Sequence, residues 1–200
     1  MIKVAVLGLT GDPVTLGHME LAKVIAQSGL VDVVWVQPCW KHRLGKEPVD
    51  AVHRLEMVRI GCFAWRFKNT ANEVNIIPSA FEIDNKFEGG TYLLHQTMKS
   101  KFPEHQFFHV IGMDNANNID KWTNPEKLKA EVPFIVCDRH GVDEKETWFN
   151  QPPHKRLHHK MKFPVSSTLV RELIKTQDSG VLKYVHTAVH QYIEINGLYS

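Results

Sequence analysis

Short apolar runs alternate with longer amphipathic stretches along the first two-thirds of the chain. The runs 2–7 (IKVAVL), 32–37 (DVVWVQ), 73–77 (EVNII), 107–111 (FFHVI) and 133–137 (PFIVC) are rich in β-branched and aromatic residues. Several are apolar almost throughout rather than at every second position, as in strands buried on both faces of a parallel sheet. The intervening stretches have helical spacing. Residues 16–27 place Leu21, Val24 and Ile25 on one side; 53–63 offers Leu55, Met57, Val58 and Ile60; 91–101 offers Leu94 and Met98. This strand–helix alternation predicts an α/β fold with right-handed crossovers, a Rossmann-like doubly wound parallel sheet. After Cys137 comes a polar stretch, 138–162, containing Pro and His, then two segments of helical pattern, 166–175 and 181–194, with Gly197 placed to cap the last. The reading is one domain over 1–200, with a C-terminal helical part from about 163.

Composition changes little in this picture. Two hundred residues, 43% hydrophobic and 23% charged, suit a globular domain with an adequate core. A formal charge of +2 argues against a nucleic-acid binder. Cys39, Cys62 and Cys137 are scattered and odd in number, which reads as reduced thiols. No apolar run reaches membrane-spanning length, and the N-terminal run has no cleavage signal, so the expectation is a cytoplasmic protein with no membrane partner. The basic run 154–160 (HKRLHHK) reads as a solvated loop near a phosphate-bearing ligand rather than a metal site. His105 and His109 read as structural.

In an open parallel sheet, ligands bind beyond the carboxyl ends of the strands. The first such loop, Gly8-Leu9-Thr10-Gly11-Asp12-Pro13-Val14-Thr15-Leu16-Gly17-His18, precedes a helix. Gly8 and Gly11 let backbone approach a ligand, and Pro13 shapes the start of the helix. Thr15 and His18, three apart, share a face at a helix N-terminus, where free N–H groups favour phosphate. The spacing is neither a P-loop nor a GxGxxG fingerprint. A second motif, Val165-Ser166-Ser167-Thr168-Leu169-Val170-Arg171, offers a helix capped by Ser166 or Ser167, with Ser167, Thr168 and Arg171 on one side. Arg171 carries the planar fork that suits phosphate.

Together these two motifs resemble the (H/T)xGH and (I/V)SSTxxR signatures of the nucleotidylyltransferase superfamily. The chain is most similar to the nicotinate/nicotinamide mononucleotide adenylyltransferase family. The supporting residues are Pro38-Cys39-Trp40-Lys41, His53-Arg54-Leu55-Glu56-Met57, Gly89-Gly90-Thr91-Tyr92, Ile111-Gly112-Met113-Asp114 with Trp122, Arg139-His140-Gly141, and the ending Tyr192-Ile193-Glu194 with Gly197-Leu198-Tyr199. Leu9 and Gly11 depart from the family's usual loop. Leu93 stands where nicotinate-preferring members usually carry Thr, which leaves both acceptors open.

The resemblance implies attack by a pyridine mononucleotide on the α-phosphorus of ATP, with Mg²⁺ bridging phosphate oxygens and water. It assigns catalysis to His18, Arg171 and Thr15. ATP binding falls to Gly8, Leu9, Thr10, Gly11, Thr15, His18, Gly112, Asp114, Ser166, Ser167, Thr168 and Arg171. Lys41, Thr91, Tyr92, Trp122 and Arg139 are placed at the mononucleotide. Taken as residues alone, Trp122 also reads as a core or hinge aromatic, Lys41 equally as an exposed lysine, and Thr91-Tyr92 as a helix start. A homo-oligomer remains open. The alternatives are a nucleotide-binding regulator without turnover and a phosphopantetheine adenylyltransferase.

Overall fold

The computed structural model describes residues 1–41, 47–67, 75–159 and 165–200. The elements run β1 (Ile2–Leu9), α1 (Leu16–Gln27), β2 (Val33–Pro38), α2 (Ala51–Phe67), β3 (Ile76–Pro78), α3 (Phe81–Asp84), α4 (Thr91–Lys101) and β4 (His105–Gly112). They continue α5 (Met113–Ala116), α6 (Pro125–Glu131), β5 (Phe134–Cys137), β6 (Lys155–Leu157), α7 (Ser167–Lys175) and α8 (Thr187–Ile195). Among the described residues, six strands form one all-parallel sheet in the order β3-β2-β1-β4-β5-β6. The chain winds outward from β1 to β3, then returns to the other side of β1 to lay down β4. The order therefore reverses between β1 and β4, and a crevice opens there beyond their carboxyl ends. This is the Rossmann-like α/β architecture that the apolar runs predict. No described helix is long and apolar enough to cross a membrane.

The two faces of the sheet hold different cores. Ala5, Leu7, Val34, Val36, Phe108 and Val110 pack against α1, α2 and α8. Val4, Val6 and Phe107 pack against α3 and α4, and Ile111, Phe134 and Val136 against α5 and α6. Helix α8 ends as expected: Gly197 takes φ +58°, its N–H bonds Glu194 O and the Leu198 N–H bonds Ile193 O, satisfying the last carbonyls.

Two expectations are corrected. The segment 181–194 is not one helix but a 3-10 turn at 179–183 followed by α8. The break has a use. His186 Nδ1 accepts the Ala188 N–H to start α8, and the Tyr184 carbonyl is released to accept the Leu16 N–H of α1 at 2.8 Å. The basic run is likewise no solvated loop over its described part, 154–159. Lys155–Leu157 is the edge strand β6, and Arg156 is neutralised by Asp138 and Glu144. His154 is buried; Nδ1 accepts the Phe134 N–H and Nε2 donates to the Lys129 carbonyl. A cation flanked by carboxylates can enter an edge strand that composition alone assigns to solvent. Residues 160–162, the first part of the 73–77 run (73–74) and the start assigned to the helical part near 163 lie outside the described residues.

His95 on α4 and His109 on β4 are both buried, with ring centroids 5.3 Å apart. Burial, then Lys99, holds His95 down at about 4; burial, then His95, holds His109 at about 3. Unfolded histidines protonate near 6.5, so below that pH the unfolded state takes up protons that the folded state refuses. Stability is therefore full above pH 6.5 and falls as the pH drops toward 4, by roughly 2–3 kcal/mol per histidine at pH 4. Thermal unfolding of H95Q/H109Q should show a visibly flatter acid limb than the parent; parallel limbs would refute the assignment.

Candidate active site

The site forms where the β1–α1 loop meets α7. Thr15 is the N-cap of α1: its hydroxyl accepts the His18 N–H, and the His18 ring returns to the Thr15 backbone, closing a reciprocal capping box. In detail, His18 Nδ1 accepts the Thr15 N–H at 3.1 Å and lies 2.9 Å from Thr15 Oγ1. Because Nδ1 accepts, the proton of the neutral ring sits on Nε2. None of the described residues hydrogen-bonds Nε2. Burial, followed by the Arg139 guanidinium, lowers the His18 pKa to about 4, so the ring is a neutral donor at neutral pH.

Helix α7 docks onto the same loop from far along the chain. Ser166 caps it by accepting the Leu169 N–H, which leaves Ser167 Oγ to donate to the Pro13 carbonyl at 2.9 Å. Arg171 Nη1 donates to the Asp12 carbonyl at 2.6 Å, and Nη2 to Thr168 Oγ1 at 3.3 Å. The two sequence motifs are thus joined: the Ser167 hydroxyl and the Arg171 guanidinium of the second are bonded to Pro13 and Asp12 in the loop of the first. Gly8 is exposed at the end of β1, whereas Leu9 packs into the core and its carbonyl accepts the Cys39 N–H. Gly11 adopts φ +71°, the left-handed region that glycine tolerates.

Across the crevice, Gly112 ends β4 and Asp114 begins the next turn. A Cβ on Gly112 would lie 2.6 Å from Asp114 Oδ1, so a side chain there would displace the Asp114 carboxylate. Arg139, after β5, donates to Asp114 Oδ2 at 2.7 Å, while Oδ1 is buried with no partner. Arg139 also acts electrostatically on His18, which ties this side to the β1–α1 loop. Farther out, Trp122 is half-buried against the cluster of Ile111, Ile119 and Leu128, on which Tyr92 also packs. The Tyr92 hydroxyl donates to Glu131, so it faces α6. Thr91 opens α4 behind Gly90, which caps without a side chain. Lys41 stands apart, exposed and paired with Glu88 at 3.5 Å.

Three residues with no role read from the sequence, Arg54, Asp12 and Tyr199, link the segments of the site. Arg54 is 1% exposed. Its Nε bonds the Val49 carbonyl, Nη1 those of Thr10 and Cys39, and Nη2 that of Trp40. One guanidinium thus joins the loops after β1 and β2. Asp12 is buried beneath Arg171, and Tyr199 donates to it at 2.8 Å. A signal for Arg54 existed in the sequence. It falls with Ala51, Val58 and Cys62 on the apolar stripe of α2, where a cation must be paired or caged.

Among the described residues no three His, Cys, Asp or Glu side chains group as a metal site. The donor set is one for anions: a neutral imidazole N–H, a guanidinium, hydroxyls and a helix N-terminus. Of the two carboxylates beside it, Asp12 is engaged by Tyr199, Val49 and Arg171, and Asp114 by Arg139.

Comparison with known proteins gives the family and the fold. The family described as Cytidylyltransferase-like matches residues 10–173. The nicotinate-nucleotide adenylyltransferase of Bacillus subtilis is 28% identical, over 100% of both chains. Among solved structures, the nicotinic acid mononucleotide adenylyltransferase of Plasmodium falciparum complexed with NaAD superposes with a TM-score of 0.82 at 23% identity, covering 100% of this chain and 98% of that one. Its complex with APC gives 0.81, also at 23% identity, with the same coverage. At that identity the likeness speaks for the fold.

Proposed function

The chain belongs to the cytidylyltransferase-like family, and from that premise we propose that it is a nicotinate-nucleotide adenylyltransferase, joining nicotinate mononucleotide to the AMP part of ATP. The observation that carries the reading is the union of the two motifs, with Arg171 and Ser167 bonded to the loop whose cap is Thr15 and His18. The relatives' names supply the acceptor.

In the reaction the 5′-phosphate oxygen of the mononucleotide forms a bond to the α-phosphorus. The bond from that phosphorus to the α,β-bridging oxygen breaks, and pyrophosphate leaves. Such a step asks for positioning and for neutralisation of charge on the phosphates. His18 Nε2–H donates to the phosphate oxygens at the reacting centre, and Arg171 with the start of α7 holds the leaving pyrophosphate. Gly112 and Asp114 take the adenosine ribose, Trp122 stacks on the pyridine ring, and Arg139 holds the acceptor side. Mg²⁺ would come with ATP and neutralise phosphate charge, with Asp12 and Asp114 Oδ2 already engaged by Tyr199 and Arg139.

The test is pyrophosphate release from Mg-ATP with nicotinate mononucleotide, nicotinamide mononucleotide and phosphopantetheine in parallel. Nicotinate mononucleotide should have the highest kcat/KM, by about tenfold or more over the amide, from the charge-assisted hydrogen bonds a carboxylate makes. Failure of all three would overturn the reading.

Gly8 offers a separate check. A Cβ there meets nothing within 4 Å, so folding does not require glycine, and the position is exposed near the carboxyl end of β1. Gly8→Val should leave Tm within a few degrees while weakening ATP binding about tenfold or more, through steric exclusion. Unchanged ATP affinity by calorimetry would place the nucleotide elsewhere.

A further inference from the structure

Arg171 sits beside a buried carboxylate, yet the two do not form the pair their chemistry favours. An arginine and an aspartate free to choose take a bidentate fork with two bonds near 2.8 Å. Here Arg171 Nη1 approaches Asp12 Oδ2 only at 3.4 Å, and its short bond, 2.6 Å, goes to the neutral Asp12 carbonyl. The other carboxylate oxygen, Oδ1, is taken: the Tyr199 hydroxyl donates to it at 2.8 Å and the Val49 N–H at 3.3 Å. Asp12 is 7% exposed, so no bulk solvent competes for these positions.

We propose that Tyr199 is a positioning residue for Arg171: by holding Asp12 Oδ1, its hydroxyl keeps the carboxylate from closing on the guanidinium and so leaves Arg171 available to a polyphosphate. The chain commits structure to this contact. Leu198 and Tyr199 follow the Gly197 cap back onto the sheet core, and Tyr199 takes φ +66°, a left-handed conformation that a bulky residue adopts only under constraint. Burial and the neighbouring Asp12 raise the phenol's pKa, so it remains a donor at working pH. The effect on Arg171 is directional. A carbonyl and the Thr168 hydroxyl fix where the guanidinium points without cancelling its charge.

The inference rests on Arg171 being the group that holds the ATP phosphates, and its test separates the two. Tyr199→Phe removes one hydroxyl and should lower Tm by only a few degrees. Its ATP dissociation constant, measured by calorimetry without turnover, should rise about tenfold, while that for nicotinate mononucleotide stays within twofold. In an Arg171→Lys background the same change should cost nothing further, and Asp12→Asn should restore ATP affinity to Tyr199→Phe, because an amide cannot trap the guanidinium as a carboxylate does. Equal losses for both substrates, or an unchanged loss in the Arg171→Lys background, would reduce Tyr199 to a packing residue and overturn the proposal. Should the parent bind no ATP, the adenylyltransferase reading fails. The latch is then decided by the Arg171 Nε–H NMR resonance, which Tyr199→Phe should shift with slowed guanidinium rotation; an unchanged resonance overturns it.

Discussion

His18→Ala is expected to lower kcat for adenylyl transfer by about 10²–10³-fold, the cost of removing one preorganised donor from a developing charge, while ATP still binds. The argument starts from the cap. The Thr15 N–H fixes Nδ1 as an acceptor, which fixes the proton on Nε2, and the reciprocal bonds of the capping box hold the ring in place before any ligand arrives. A donor set in advance loses nothing to reorganisation when charge builds on the phosphates. The pH dependence follows with a definite sign. With the pKa of the free protein near 4, the ring is neutral throughout the range in which ordinary histidines titrate. Hence kcat/KM, which reports the free enzyme, should not fall as pH rises through 6.5. A rate that drops across that pH and follows His18 would mean that the imidazolium is the working form. A loss below about threefold in His18→Ala would remove His18 from the chemistry altogether.

The second large effect is on stability. Arg54→Leu should cost about 3–4 kcal/mol, because it leaves buried carbonyls of Val49, Thr10, Cys39 and Trp40 without their donors, and bonds from a charged donor are each worth about 1.5–3 kcal/mol without being additive. For a domain of this size that is a fall in Tm of roughly 10 °C. Arg54→Lys should recover only part of it, since an ammonium has no planar fork to reach loops on two sides. Activity should fall further than the folded fraction, because Thr10 lies in the loop that carries the Thr15–His18 cap. Differential scanning calorimetry and kcat at a temperature where the variant is folded would separate the two losses. A Tm within 3 °C of the parent would show that the cage is dispensable.

Much of the site was legible because it is local. Thr15 and His18 are three residues apart, and so are Thr168 and Arg171; a helix brings such pairs together whatever the rest of the chain does. The apolar runs announced β1, β2, β4 and β5 because a strand buried on both faces has no polar positions to spare. The edge strand β6 lacks that signature: it is short, basic and half-solvated, and it exists because Asp138 and Glu144 neutralise Arg156. The break before α8 was invisible for the same kind of reason. Its carbonyl partner, Leu16 N–H, lies at the other end of the chain.

What the sequence determined by itself was the alternation of elements, a serine cap for α7, the Gly197 cap of α8, and two short motifs at helix starts. All of these follow from periods of two and 3.6 residues and from turn chemistry, which act between near neighbours. The tertiary structure alone decided which contacts join the two motifs. Arg171 reaches the Asp12 carbonyl across 159 positions, Ser167 reaches Pro13 across 154, and Tyr199 reaches Asp12 across 187. It also decided that Arg54 is a buried clamp rather than a surface cation. Hydrogen bonds over such separations leave no periodic trace in a single sequence, since each partner's residue type is set by a contact that exists only once the sheet has closed.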